Sequence, residues 1–418
     1  MCIRDRSKII DWIRKNIIVL FLVAVTILGL LLRWLGRDFE SGDFKSFLNP
    51  WWNRIEIAGF DGLATKVGNY NIPYQIITYL LTLLPFKALY AYKLLSVVFD
   101  FVLAVACALL VNISAKNKSN AKSALTYGLV FCSVTIIFNS AFWAQCDSIY
   151  VAFIILALYF VKRGSTVLPF VFLGLSLAFK LQVAFILPFF VYYYFTRKKV
   201  SILNFFIIPL VDIILCLPAV IVGRPVWDII GVYLEQTDYG KRISFNYPNL
   251  YMLMVNVQNS EYYYMFKAFS IILTFAVLIA ALVMLVYRRV DLSNSYNLLV
   301  TALWSAFTCI MFLSSMHERY AYLIDVLAII LAVITLKKRW VIIALALNFI
   351  SLVGYCNYLF LYPVIELKQS AVINTAVYFA VSYILVKEVI LNGRTNSDKK
   401  GADSKEQFEF NVSKNSVK

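Results

Sequence analysis

The chain has 418 residues, of which 61% are hydrophobic and 15% are charged, and its mean hydropathy is +0.77. That balance excludes an ordinary soluble domain and predicts an all-α polytopic membrane protein, because several apolar segments approach the roughly 20 residues that cross a bilayer. The formal net charge of +16 does not predict a nucleic-acid partner, because Lys and Arg lie mostly in short loops and in the tail.

Apolar segments at about 12 positions are predicted to be transmembrane helices. They cover residues 14–33, 90–112, 124–140, 147–161, 166–179, 182–196, 200–222, 263–287, 296–314, 320–336, 340–358 and 371–391. The shorter segment 73–85 is bracketed by prolines, so we expect an interfacial or re-entrant helix. Counting it as a span would move Lys116, Lys118 and Lys122 away from the side of the other basic loops. The prediction therefore places both termini in the cytoplasm.

Two long loops are predicted on the non-cytoplasmic side, at about 34–72 and 223–262. Both are rich in Trp and Tyr, which suit the headgroup region, so we expect them to carry short interfacial helices. Residues 1–392 are predicted to form one membrane domain. The polar residues 393–418 are expected to form a disordered cytoplasmic tail.

The first loop carries three carboxylates, Asp38, Glu40 and Asp43. A carboxylate beside a cavity at the membrane surface can act as a general base toward an alcohol, whereas a solvated acidic loop has the same composition. Asp43 is favoured because Ser41-Gly42 lets the backbone turn sharply just before it, and because 44–52 is predicted to be an interfacial helix that holds it.

A polar string, Trp-Ala-Gln-Cys-Asp-Ser, covers residues 143–148 between two predicted spans. Gln145 and Asp147 have side chains that hydrogen-bond sugar hydroxyls, and Trp143 offers a stacking face. The alternatives are that Trp143 anchors the chain at the membrane interface and that Asp147 caps the following helix.

Lys180 and Gln182 interrupt an apolar run farther along the chain. An isolated lysine on this side of the membrane either snorkels to the surface or meets an anion such as a lipid phosphate.

A third string, Met-His-Glu-Arg-Tyr, covers residues 316–320. Arg319 offers a fork of donors to phosphate and His317 a second donor, while the alternative is a turn in which Glu318 and Arg319 pair with each other.

The basic loops fall at the helix ends alternate to these polar strings, so the strings are expected to gather at the opposite membrane surface. Asp100, Asp212 and Asp325 lie within apolar segments, and each is expected to be paired inside the bundle. Asp325 is about two helical turns beyond Glu318, a spacing that would place the two on one helix face. The seven cysteines show no CxxC spacing and there is one histidine, so neither a disulfide framework nor a metal site is predicted.

The sequence resembles the GT-C superfamily of integral-membrane glycosyltransferases. Within that superfamily it is most similar to bacterial mannosyltransferase-like proteins related to the second mannosyltransferase of GPI-anchor synthesis. The residues that carry the resemblance run in order across most of the membrane domain: 41–43, 50–51, 73–74, 93–100, 143–150, 179–182, 223–225, 247–251 and 316–320.

The resemblance implies an inverting glycosyltransferase that moves a hexose, with mannose as the first candidate, from a polyprenyl-phosphate donor to an acceptor hydroxyl. The reaction is expected at the outer face of a bacterial inner (plasma) membrane. The implied partners are the lipid-linked donor, membrane lipid and an unidentified acceptor, without a metal or other cofactor. Asp43 is implied as the catalytic base, with Asp38 and Glu40 as alternatives.

The implied contacts fall into two groups. Those expected to bind the donor phosphate are Lys180, His317, Arg319 and Arg224. Those expected to bind sugar or substrate are Trp143, Gln145, Asp147, Gln182, Glu318 and Asn249. The alternative function is a transporter or flippase of a phosphorylated lipid-linked sugar, which predicts helix breaks at matching places in two halves of the chain. The sequence shows no such symmetry.

Overall fold

The computed structural model describes residues 3–115, 119–197, 199–238, 240–254 and 261–392. The predicted tail at 393–418, Lys116 and Lys118 lie outside them. The described chain is all-α apart from one short sheet. Its helices are α1 (Ile3–Leu35), α2 (Asn49–Ala58), α3 (Ile72–Thr82), α4 (Ala88–Ser114), α5 (Asn120–Phe131), α6 (Val134–Ile137), α7 (Asp147–Lys162), α8 (Leu168–Phe179), α9 (Leu187–Thr196), α10 (Ile207–Ile221), α11 (Asp228–Asp238), α12 (Leu250–Met254), α13 (Tyr263–Tyr287), α14 (Ser295–Phe312), α15 (Tyr322–Thr335), α16 (Lys338–Leu359) and α17 (Leu367–Ile384).

Within the described ranges, seven helices are long and apolar enough to cross a membrane: α1, α4, α10 with the turn before it, α13, α14, α16, and α17 with its continuation to Ile390. The segment formed by α5, α6 and the turn to Phe142 is an eighth candidate, bent by 46°. A polytopic α-helical membrane protein is therefore confirmed. The other segments predicted to span are largely helical too, but α7, α8, α9 and α15 are shorter, so a total of 12 stays a prediction.

The helix α14 separates the two ends of the bundle. At its start, Arg197 lies 3.9 Å from Asp291, and Lys162 donates to the carbonyl of Ser293 at 2.5 Å. Its other end is Phe312, just before the third polar string. Because a helix rises about 1.5 Å per residue, basic loops and polar string lie about 27 Å apart along an 18-residue helix. The three polar strings meet at the end away from these basic residues.

Buried polar contacts fix the chain that leaves α1. The Nη2 atom of Arg33 lies 2.8 Å from Oδ2 of Asp100, which also accepts from the hydroxyl of Ser140 at 2.6 Å. Lys93 donates to three carbonyls just past α1, those of Gly36, Arg37 and Phe39, at 2.6–3.0 Å. The predicted pairing of Asp100 is confirmed, and together these contacts aim the first loop toward the bundle end.

The first loop contains a helical stretch that runs from Gly42 into α2. The hydroxyl of Ser41 accepts from the N–H of Phe44 at 3.1 Å and donates to the carbonyl of Trp143 at 3.0 Å. The turn before Asp43 therefore comes from a serine cap, and the explanation through Gly42 is wrong because that residue does not have a positive φ.

The two long loops contact each other where Nδ2 of Asn71 donates to the hydroxyl of Tyr233 at 2.6 Å. Asn71, at the start of α3, donates to Asp212 of α10 at 2.8 Å, and Tyr233 of α11 donates to the same carboxylate at 3.2 Å. The predicted pairing of Asp212 is thus confirmed. Helices occur in both loops as predicted, while their position at a membrane interface remains a prediction.

A short parallel sheet was not predicted. Its strands are β1 (Ser244–Phe245) and β2 (Met316–His317), in the register Ser244 to Met316 and Phe245 to His317. The pairing brings the second loop beside the third polar string. It also fixes the backbone from which Glu318 and Arg319 project.

Candidate functional site

One cavity of about 570 Å³ lies where the polar strings meet. Seven residues predicted as site residues line it: Asp43, Gln145, Lys180, Gln182, His317, Glu318 and Arg319. Apolar side chains such as Phe47, Phe185 and Phe245 line much of the remaining wall. The cavity therefore combines an apolar surface with a few convergent polar groups, the usual character of a ligand site.

Asp43 accepts hydrogen bonds from several side chains around it. Its Oδ2 accepts from Nε1 of Trp143 and from Nε2 of Gln145, both at 2.8 Å, and from Nη1 of Arg319 at 3.2 Å. Its Oδ1 accepts from the hydroxyl of Tyr358. Residues from the first loop, two of the polar strings and α16 thus converge on one carboxylate.

The other two acids of the first loop do not reach the cavity. Asp38 pairs with Arg37 at 3.0 Å, and its side chain is 58% exposed. Glu40 lies 3.8 Å from Lys45 and is also exposed. Asp43, in contrast, is buried and lines the cavity, so it alone of the three faces a bound ligand.

The protonation of Asp43 is set by opposing effects. Burial alone would raise its pKa, but the positive charge of Arg319 and the donors Tyr358 and Trp143 outweigh burial, and the pKa is lowered below its usual value. Burial and the neighbouring charge of Arg319 lower the pKa of His317 to about 3. At neutral pH, Asp43 is therefore ionised and His317 is neutral, so His317 can donate a hydrogen bond but adds no positive charge.

Lys180 and Asp147 form a second buried ion pair near Asp43. Nζ of Lys180 is 2.5 Å from Oδ1 of Asp147, and Nδ2 of Asn139 donates to the other carboxylate oxygen at 2.7 Å. Nε of Arg319 is 3.9 Å from Asp147. Asp147 is fully buried and its side chain does not cap α7, so the capping alternative is wrong.

Trp143 lies beside Asp43 and donates a hydrogen bond to it. It is fully buried, its ring stacks on Tyr358 with centroids 4.7 Å apart, and the guanidinium of Arg319 lies 5.3 Å from its centroid. The membrane-anchor alternative is therefore wrong. Trp143 and Asp147 do not line the cavity either, so the structure does not support their predicted contacts with a sugar.

Gln145 connects the two ion pairs. Its Nε2 donates to Asp43, and its Oε1 accepts from the hydroxyl of Tyr70 at 2.9 Å and from Lys180 at 3.4 Å. The residue before it, Ala144, has a φ of 62°, in the left-handed region that non-glycine residues rarely occupy. Such local strain persists where surrounding contacts over-determine the backbone, as the hydrogen bonds of Gln145 do here.

Glu318 differs from the other charged residues of the cavity. It is buried, it does not pair with Arg319, and neither carboxylate oxygen makes a hydrogen bond of normal geometry with the described residues. Burial raises its pKa to about 7, although the nearby Arg319 acts in the opposite direction. The alternative of a self-paired surface turn is therefore wrong.

Two predicted site residues lie elsewhere. Arg224 is buried against Asp228, with Nε 2.5 Å from Oδ2, and also contacts Gln75 at 3.3 Å. Asn249 donates to the carbonyl of Leu313 at 3.1 Å and accepts from the N–H of Tyr251. Neither lines the cavity, so the structure does not support their predicted ligand contacts.

Sequence reasoning missed several residues that shape the site. Tyr358 donates to Asp43, and Tyr70 donates to Gln145. Tyrosines are common near a membrane interface, so neither residue stood out in the sequence. Asn139 was detectable as a polar residue within an apolar segment.

Of the isolated acids, Asp325 has no hydrogen bond of normal geometry among the described residues, so its predicted pairing is not confirmed. The described residues contain no group of three or more His, Cys, Asp or Glu side chains placed to hold a metal ion.

Comparison with known protein families gives one match. The model of glycosyltransferase family 87 matches residues 70–315, which is more than half of the chain, so the chain belongs to that family. The matched range includes Gln145, Asp147 and Lys180 and stops just before the third polar string. The narrower resemblance to the second mannosyltransferase of GPI-anchor synthesis stays a prediction. No curated protein matches the chain.

Proposed function

We propose that this membrane glycosyltransferase transfers a hexose, with mannose as the first candidate, from a polyprenyl-phosphate donor to an acceptor hydroxyl, with inversion at the anomeric carbon. The observation that carries the proposal is the position of Asp43, an ionised carboxylate on the wall of a cavity that Lys180 and Arg319 also line. This arrangement offers a proton acceptor and two cations to one bound substrate. The proposal also includes GT-C architecture with about 12 spans.

The proposed reaction uses Asp43 as the base. The acceptor oxygen attacks the anomeric carbon, the bond from that carbon to the phosphate oxygen breaks, and the phosphate leaves with the electron pair. The acceptor proton passes to Asp43. Because its pKa is lowered, Asp43 is a weak base that is fully ionised, so we expect proton transfer late in the step, as the new bond forms.

Arg319 is the better placed of the two cations to stabilise the departing phosphate. It donates to Asp43 through Nη1, while its Nε is buried and makes no hydrogen bond of normal geometry with the described residues. Lys180 lines the cavity while paired with Asp147. Preorganised donors of this kind contribute on the order of 3–4 kcal/mol each to a transition state. Neutral His317 is proposed as an additional donor.

The proposed location is the outer face of a bacterial plasma membrane, with both termini in the cytoplasm. Its support is the distribution of charge along α14: Lys162 and Arg197 lie near the start of this helix, and the cavity lies beyond its end. Basic loops are retained in the cytoplasm, so the cavity would open on the other side.

The central test is Asp43→Asn in purified protein, with undecaprenyl-phosphate mannose as donor and a bacterial lipid extract as acceptor. We expect transfer to fall by about 10²–10⁴-fold. The matched controls are Asp38→Asn and Glu40→Gln, which alter exposed acids of the same loop and should keep wild-type rates. Equal loss in all three variants, or an unchanged Asp43→Asn enzyme, contradicts the assignment.

Two further readouts separate the alternatives. Nuclear magnetic resonance of the product should show the anomeric configuration opposite to that of the donor. In proteoliposomes, movement of the donor between leaflets without transfer would favour the flippase instead. Transfer from a sugar nucleotide but not from the lipid-linked donor would contradict the proposed donor class.

A further inference from the structure

Glu318 is a carboxylate of the cavity wall whose hydrogen-bonding partners are incomplete. It is 2% exposed, it lines the cavity, and both carboxylate oxygens lack hydrogen bonds of normal geometry within the described chain. Buried polar groups are nearly always satisfied, because leaving them unpaired costs free energy. Because Glu318 lines the cavity, its unpaired carboxylate oxygens indicate that a ligand supplies the missing partners.

The backbone of Glu318 is held firmly, so the side chain does not reach the cavity by chance. Its N–H donates to the carbonyl of Phe245 at 3.1 Å, continuing the pairing of β1 and β2. Its Cβ packs against Gly354 of α16, where an added Cβ would lie 2.9 Å away. The glycine therefore provides the space that this position of Glu318 requires.

Charge balance around Asp43 favours a neutral Glu318. The two carboxylates Asp43 and Asp147 are matched by the two cations Lys180 and Arg319. An ionised Glu318 would add a negative charge to this cluster and oppose an anionic donor. Its pKa of about 7, raised by burial, is consistent with a protonated carboxyl below neutral pH.

We propose that Glu318 binds two hydroxyl groups of the transferred hexose as a neutral carboxylic acid. The protonated oxygen donates to one hydroxyl, and the carbonyl oxygen accepts from another. The transferred sugar is a better fit than the acceptor because Glu318 is adjacent to Arg319, the proposed phosphate ligand, and the hexose is attached directly to that phosphate. The inference rests on the proposed function and makes Glu318 a determinant of sugar specificity.

The test compares Glu318→Gln with Glu318→Leu. Glutamine keeps the shape, one donor and one acceptor but cannot ionise, whereas leucine removes both hydrogen-bonding groups. With undecaprenyl-phosphate mannose at about pH 6, we expect Glu318→Gln to keep kcat/KM within about 3-fold and Glu318→Leu to lose at least about 100-fold. Melting temperatures show whether each variant is folded. Glu40→Gln, at an exposed acid, is the matched control.

Two properties distinguish sugar recognition from a structural role. Above about pH 7, the KM of wild type for the donor should rise as Glu318 ionises, and Glu318→Gln should lack this rise. The second property is measured with donors that each lack one hexose hydroxyl. The wild type should use two of these donors poorly compared with the complete donor, whereas Glu318→Leu should not discriminate against those two. Equal inactivity of the glutamine and leucine variants, or unchanged discrimination in Glu318→Leu, overturns the proposal.

An infrared measurement separates failure of this proposal from failure of the proposed function. If the wild type transfers no sugar from the lipid-linked donor, the proposed function fails. The difference spectrum between wild type and Glu318→Gln should still contain the carbonyl band of a protonated carboxyl, and mannose 1-phosphate should shift that band. A spectrum without the band, or a band that mannose 1-phosphate leaves unchanged, contradicts the role of Glu318.

Discussion

Nη1 of Arg319 lies 3.2 Å from Oδ2 of Asp43, although 276 positions separate the two residues in the chain. The contact joins the first loop to the third polar string and places a cation beside the proposed base. Because Arg319 also approaches Asp147 and the ring of Trp143, a single side chain contacts most of the charged centre.

Arg319→Lys should slow transfer and change its pH dependence. Lysine keeps the charge but cannot span Asp43, Asp147 and Trp143 as a planar guanidinium does, so we expect kcat to fall by about 10–100-fold. Weaker contact with the cation should raise the pKa of Asp43, and the acid limb of the rate profile should move to higher pH. The pH dependence of kcat measures this, with Arg37→Lys, at an exposed arginine of the first loop, as control. An unshifted acid limb contradicts the coupling.

Tyr358→Phe tests the donor to Oδ1 of Asp43. Phenylalanine keeps the ring that stacks on Trp143 and removes the hydroxyl that helps to lower the pKa of Asp43, so this pKa should rise. The acid limb should therefore shift upward with little change in melting temperature. Tyr362→Phe, at an exposed tyrosine, is the control and should leave the profile unchanged.

The buried pair of Lys180 and Asp147 should show strong coupling in stability. Removing one partner leaves the other buried charge without its nearest counter-ion, so Lys180→Met or Asp147→Asn should each lower the free energy of unfolding by about 3–5 kcal/mol. The double variant should lose less than the sum of the single losses. The exposed pair of Lys66 and Glu235 is the control, with changes of about 0–1 kcal/mol. Additive losses at the buried pair would contradict the coupling.

Lys93→Met should destabilise the chain segment that carries Asp43. Three carbonyls beyond α1 would lose their shared donor, for which we expect about 1–3 kcal/mol of lost stability. Displacement of the loop should also reduce transfer. Melting temperature and kcat are the measurements, and Lys87→Met, at an exposed lysine beside the start of α4, is the control. A variant with wild-type stability would show that Lys93 does not hold this loop.

Membrane orientation is tested by accessibility of single cysteines in a protein whose native cysteines are replaced. Lys66→Cys lies at the cavity end, and Lys338→Cys lies at the start of α16, beside the basic residues Lys337 and Arg339. In intact cells, an impermeant thiol reagent should label only the former. Permeabilised cells provide the control, since both positions should then react. Labelling of Lys338→Cys alone would reverse the proposed orientation.

The sequence alone determined the membrane class and most helices of this protein. A long apolar run is a local property, and within a bilayer such a run satisfies its backbone only as a helix. The polar strings were also evident, because ionisable residues between apolar spans are costly and therefore noticeable. Their composition indicated Gln145, Lys180 and Arg319 as residues of one site, and the acidic first loop indicated Asp43.

Only the tertiary structure decided what each of these side chains contacts. Tyr358 donates to Asp43 across 315 positions, and nothing near either residue in the chain indicates the pair. Likewise, Arg224 and Asn249 carry suitable chemistry but lie in structural contacts, while Glu318 reaches the cavity because β1 pairs with β2 and Gly354 leaves space. Hydropathy is set along the chain, but hydrogen bonds between distant residues depend on how the helices pack.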